Sequence, residues 1–225
     1  MSKIDNIGEL VLYKNNQFIA FNKPPTVPVQ ADKTGDTSLL QLAEIYTKSK
    51  LDLVHRIDRP ASGVVLIAKN KKSLAAVQRQ FQERTIKKTY LAVVKNLPES
   101  ASGELVHFLK KNGRRNRSVV QSDATKGGKK AALTYEVLGS SDNYHLLKIE
   151  LQTGRFHQIR AQLAAMDNPI KGDVKYGFRR NNSDRSIQLH AWKLRFTHPV
   201  SGERETIVAP PPADSIWAAF GHSFE

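Results

Sequence analysis

Residues 54–69 read V-H-R-I-D-R-P-A-S-G-V-V-L-I-A-K, and no other stretch constrains the fold as tightly. From Gly63 to Ala68 the chain is nearly all apolar. A short run without polar alternation is buried on both faces, which predicts a strand in the interior of a sheet. Pro60 and Gly63 mark a sharp turn before it, and one carboxylate, Asp58, sits there between Arg56 and Arg59. A short acidic side chain on a strained connection between strands is where a reactive group can be mounted. The flanking guanidiniums would keep it ionised and help draw in a polyanion.

The remaining elements arrange themselves around that strand. Residues 10–13 and 17–21 predict a hairpin, with Lys14-Asn15-Asn16 as its turn and Asn22-Lys23-Pro24-Pro25 as its end. A helix over 38–47 places Leu39, Leu42, Ala43 and Tyr46 on one face, with Asp36 or Thr37 as its cap. Residues 73–84 form an amphipathic helix whose inner stripe is Leu74, Val77 and Phe81. Strands are expected over 89–94, 132–138, 144–151, 187–196 and 205–208, a helix over 156–166 ended by Pro169, and a short helix over 213–220. Strands outnumber helices and follow one another without βαβ alternation. The expected fold is α+β: a largely antiparallel, mixed sheet flanked by helices and loops. Without repeat or linker, residues 1–225 are expected to form a single catalytic domain, its N-terminal hairpin region covering about 8–35.

Charge narrows the function. Lys and Arg number 35 against 21 Asp and Glu, a net charge of +14. The excess concentrates in residues 109–130, where Lys110, Lys111, Arg114, Arg115, Arg117, Lys126, Lys129 and Lys130 face the single Asp123. That segment reads as an insertion contacting nucleic-acid phosphates. With no cysteine, thiolate metal sites, disulfides and cysteine nucleophiles are excluded. His107, His145, His157, His190 and His198 lack metal-site spacing, so no metal is expected. A two-metal nuclease would need clustered carboxylates, and Asp58 has arginines for neighbours. No apolar run could span a bilayer and residues 1–5 lack a signal-peptide core, so a cytoplasmic protein without membrane contact is expected.

Two further segments complete the pattern: Lys87-Lys88-Thr89-Tyr90, a basic pair leading into a strand, and Gly154-Arg155-Phe156-His157-Gln158-Ile159-Arg160, a polar helix entry. Downstream lies Leu189-His190-Ala191-Trp192-Lys193-Leu194-Arg195-Phe196-Thr197-His198-Pro199. Together with His55-Arg56-Ile57-Asp58, these resemble the RluA family of pseudouridine synthases, which isomerise uridine in ribosomal and transfer RNA. The resemblance runs from the first hairpin to Pro212. It begins almost at once, implying that the family's N-terminal S4 RNA-binding domain is missing. Ile57 replaces the usual Leu, Ala61 stands where Thr is frequent, and Thr26 follows N-K-P-P where the family carries glycine.

The resemblance implies roles. Asp58 is the nucleophile, attacking either the ribose anomeric carbon or the uracil ring, with no cofactor. Arg155 pairs with the aspartate and orients it. Tyr90 stacks on the target base and assists its proton transfers, while Leu189, with Ile57, lines the uracil pocket. The target nucleotide must leave its stack. His55, Arg56 and Arg59 beside the nucleophile, and Lys87, Lys88, Lys110, Lys111, Arg114, Arg115, Arg117, Lys129 and Lys130, are the expected RNA contacts. Arg160 is expected to be structural, and Trp192 and Trp217 to be packing residues. A monomer acting on ribosomal or transfer RNA is the expectation. The alternative is an inactive RNA-binding or RNA-folding module on the same scaffold.

Overall fold

The computed structural model describes residues 4–223; residues 1–3, part of the stretch read for a leader, and 224–225 lie outside it. By their contacts the described residues form two compact units: 4–88 with 190–212, and 89–189 with 213–223.

The first unit is built on the apolar run. A 3-10 turn leads into β1 (Val11–Lys14) and β2 (Phe18–Lys23), the expected hairpin. Helix α1 (Leu39–Thr47) follows, then the short β3 (Asp52–Leu53), β4 (Ser62–Ala68) and α2 (Lys71–Gln82). All seven residues of β4 are buried; β2 flanks it antiparallel from Gly63 to Ala68, and its other edge is paired by β3 at Ile67 and Ala68 and by later residues at Ser62 and Gly63. Those later residues are His190 and Ala191, which pair parallel with Ser62 and Gly63. Gly63 has φ +112°, and an added Cβ would stand 2.2 Å from the carbonyl oxygen of Ala191, so only glycine fits. The core joins Phe18, Val64, Leu66 and Val77 to Leu194, Phe196 and Ile207. Phe81 of α2 packs on it from the rim.

The second unit begins within β5 (Lys87–Val94) and continues through β6 (Ser102–Asn112), β7 (Arg117–Gln121), β8 (Lys129–Ser140) and β9 (His145–Leu151), in the spatial order β5-β9-β8-β6-β7. All of these pairs are antiparallel. Helix α3 (Gln158–Ala165) packs on this sheet through six buried residues, Gln158 to Leu163. The chain then enters β10 (Leu189–Thr197), which pairs antiparallel with β11 (Arg204–Val208) in the first unit, and ends with α4 (Ser215–Ala218) in the second. The fold is the expected α+β, a mixed sheet flanked by helices.

Three details depart from expectation. Residues 109–121, read as part of an insertion, are mostly strand: β6 and β7 form a ribbon. Helix α1 is capped by Ser38 in a reciprocal box with Gln41, not by Asp36 or Thr37. Helix α2 starts at Lys71 under an Asn70 cap. Among the described residues no helix is long and apolar enough to cross a membrane.

Candidate active site

In the first unit, residues 54–61 connect β3 to β4, which pair antiparallel, so the Asp58 loop is a closed hairpin loop. It turns at Asp58, whose carbonyl accepts from Ala61 N at 3.1 Å. Arg59 anchors it. The Arg59 carbonyl accepts from Thr26 N at 2.8 Å, and Arg59 Nε donates back to the Thr26 carbonyl at 2.9 Å. The guanidinium reaches Asp32 Oδ2 at 3.0 Å and also pairs with Asp36. These contacts hold both carboxyls below their usual range, hydrogen bonds from Thr34 leading for Asp32 and one from Arg59 for Asp36. Arg59, expected to contact RNA, thus braces the loop within the protein. Thr26, where the family has glycine, takes φ +68° in this double contact.

Lys23 is the residue that sequence reasoning missed. It is completely buried, and its ammonium donates to three carbonyls: Pro24 at 2.8 Å, Val27 at 2.9 Å and Arg59 at 3.1 Å. Burial pushes it down to about 7, and the Asp58 carboxylate pulls it back up. A buried cation therefore lies within the field of Asp58. The only signal in the sequence was the N-K-P-P segment.

His55 points inward: its Nε2 accepts from Leu66 N at 3.1 Å, and its ring lies 5.7 Å from that of Phe81. Burial, then Lys88, lowers it to about 3, so it is neutral with its proton on Nδ1. Lys88 itself lies over Phe81 at 5.5 Å. Arg56 is exposed, Ile57 is buried, and Lys87 is exposed at the start of β5. A second neutral histidine, His190, joins Ser62 Oγ at 2.8 Å to the Ala209 carbonyl at 2.9 Å, with burial lowering it to about 4.

In the second unit, Tyr90 is buried in β5 opposite Ile149. Leu189 is buried at the start of β10. Arg155 stands exposed on the turn before α3. Gln158 builds that turn: its Oε1 accepts from Arg155 N at 2.9 Å and Thr153 Oγ1 at 2.8 Å, while its Nε2 donates to the Ala132 carbonyl at 3.1 Å. Arg155 Nε donates to the Lys130 carbonyl at 3.0 Å. Arg160 is structural, as expected: it is buried and bidentate on Asp173, at 2.6 and 2.8 Å.

The basic segment is fastened to this turn. Ser118 of β7 donates its Oγ to the Phe156 carbonyl and its N–H to Tyr176 Oη at 2.7 Å, and Tyr176 Oη meets His157 Nδ1 at 3.0 Å. Lys111 lies over the Phe156 ring at 4.6 Å. Lys110 stands beside Lys111 on β6, Arg114 and Arg115 are exposed at the ribbon's tip, Arg117 opens β7, and Lys129 and Lys130 open β8. The cations of this segment and the Arg155 turn are thus tied together within one unit. Among the described residues no group of three His, Asp or Glu could hold a metal.

Comparison with solved structures defines the class. The human RNA pseudouridylate synthase domain containing 1 superposes with a TM-score of 0.80 at 24% identity, over 97% of this chain and 89% of that one. The human domain containing 4 gives 0.76 at 22%, over 97% and 94%. The fold is that of the pseudouridylate synthases. A family model described as RNA pseudouridylate synthase matches residues 17–165. An RNA pseudouridine synthase of Mycobacterium bovis is 35% identical over 94% of this chain and 72% of its own length. The ribosomal large subunit pseudouridine synthase C of Vibrio parahaemolyticus is 31% identical over 93% and 68%. The chain belongs to the RluA-type RNA pseudouridine synthases and is an isomerase acting on RNA.

Proposed function

We propose that this enzyme isomerises uridines of large-subunit ribosomal RNA through Asp58, working as a cytoplasmic monomer in which the whole chain serves as one catalytic domain. Two relatives named for the large ribosomal subunit, from Vibrio and Buchnera, support the substrate. The observation that carries Asp58 is the construction of its loop. The ammonium of a fully buried Lys23 and the Thr26 N–H converge on one carbonyl, that of the doubly paired Arg59, next to Asp58. Buried polar groups this densely satisfied hold a geometry. The reaction breaks the bond from C1′ to N1, turns the base, joins C1′ to C5, and moves a proton from C5 to bulk while N1 gains one. A carboxylate can hold the intermediate covalently without help from a cofactor. Tyr90 stacks on the base, Arg155 orients the carboxylate, and Leu189 and Ile57 line the pocket.

Pseudouridine is mapped across total RNA in cells carrying the wild-type gene, a deletion, or the Asp58→Asn variant. The expected result is one or more large-subunit positions lost in the deletion and not restored by the variant. In vitro, turnover should fall at least about 100-fold, some 2.7 kcal/mol of barrier. Loss at transfer RNA positions instead would overturn the substrate, and full restoration by Asp58→Asn would overturn the nucleophile.

A further inference from the structure

One concave surface has no part in the reaction as assigned. In the second unit a cavity of about 530 Å³ is walled by Lys95, Tyr144, Lys171, Phe178, Arg179 and Arg180, together with four asparagines, Pro169 and Gly177. Its volume lies in the range of small-ligand pockets, roughly 300–1,000 Å³. No carboxylate lines it. Lys171 is fixed by Asn182 Oδ1 at 2.7 Å and stands 5.8 Å from the centre of the Tyr144 ring. Burial lowers its ammonium, while Asp214 and Asp184 pull it back up.

Lys95, Arg179 and Arg180 are exposed, and among the described residues none of the three has an ion-pair partner. Cations gathered in a concavity whose lining holds no carboxylate focus a field that attracts a polyanion. The half-buried Tyr144 and Phe178 add aromatic faces of the kind on which unstacked bases settle. Gly177, at φ +103°, turns the wall, and a Cβ there would meet nothing within 4 Å, so this side of the cavity is open.

We propose that this cavity seats single-stranded RNA flanking the reacting uridine, with Arg179 and Arg180 on backbone phosphates and an unstacked base against Tyr144 or Phe178. This rests on the RNA-modifying function above. Lys95 is the first residue past β5, five positions from Tyr90, or roughly 17 Å along an extended strand. The nucleotide held there is therefore a neighbour of the substrate uridine, a few positions away along the chain.

The test measures affinity for a ribosomal RNA fragment containing the target, from 0.05 to 0.3 M salt, for wild type and the Arg179→Ala/Arg180→Ala double variant. Loss of two single-strand phosphate contacts should make the slope of log K against log salt shallower by about 1.4, and weaken binding about tenfold at 0.15 M. On a fragment trimmed to the uridine and its immediate neighbours, the two proteins should bind alike. An unchanged slope on the long fragment, or an equal loss on the trimmed one, overturns the proposal. Thermal melting of the double variant verifies its fold. Should wild type bind the fragment with these slopes yet convert no uridine, the function above fails and the binding site stands.

Discussion

Asp36 shows how a residue legible by type can be assigned the wrong partner. Its position before α1 suits a helix cap, but Arg59 lies across from it and captures the carboxylate, leaving the cap to Ser38. The turn at Asp58 was legible because Pro60 and Gly63 mark it and a fully buried strand follows. Lys23 was not, since nothing local announces that an ammonium will be enclosed by three carbonyls. Lys23→Met keeps the side chain's length, leaves the Pro24 and Val27 carbonyls without a donor and takes one of two donors from that of Arg59. At about 1 kcal/mol or more for each of the two carbonyls left bare, a loss of roughly 2 kcal/mol or more is expected, read as a fall in the urea midpoint. Turnover should fall with it, because the Arg59 carbonyl next to Asp58 loses a donor.

Among the elements, those with one dominant face were read well. The apolar run became β4, and the stripe of Leu74, Val77 and Phe81 became the inner face of α2. The ribbon of β6 and β7 escaped because it buries little: over Ser102–Asn112 only Leu109 is buried, so the period-two pattern never reaches apolar contrast. Tertiary hydrogen bonds hold that ribbon to the Arg155 turn instead. Tyr176→Phe removes the hydroxyl that accepts from Ser118 N and meets His157. About 1–2 kcal/mol of stability should be lost. Hydrogen exchange at the Ser118 amide should quicken; an unchanged rate would show that the ribbon is held without Tyr176.

For the molecule as a whole, pH is a sensitive probe. Burial lowers His55 and His157 to about 3 and His190 to about 4. All three are neutral in the native state at pH 7. Below about 6.5 the unfolded chain takes up protons that the native chain refuses. Stability is therefore full above pH 6.5 and falls as pH drops toward 4 and then 3, each histidine contributing up to about 1.4 kcal/mol per pH unit. Urea midpoints at pH 7.5, 6 and 5 measure this. His190→Gln, which keeps an amide between Ser62 and Ala209, should flatten the decline; an equally steep decline would remove His190 from the account.

The parallel contact of Gly63 with Ala191 has a consequence for biosynthesis. The first unit is drawn from residues up to 88 and from 190–212, so about a hundred residues must leave the ribosome between its two parts. Until then a nascent chain carries the Ser62–Gly63 end of β4's edge unpaired. Such long-range closure is slow and invites mispairing. The intervening segment carries β6 to β9 and α3 of the second unit, which can pair before residues 190–212 emerge. For this chain, order of emergence is not order of completion: the portion made earliest finishes late, and chaperones have that interval to guard.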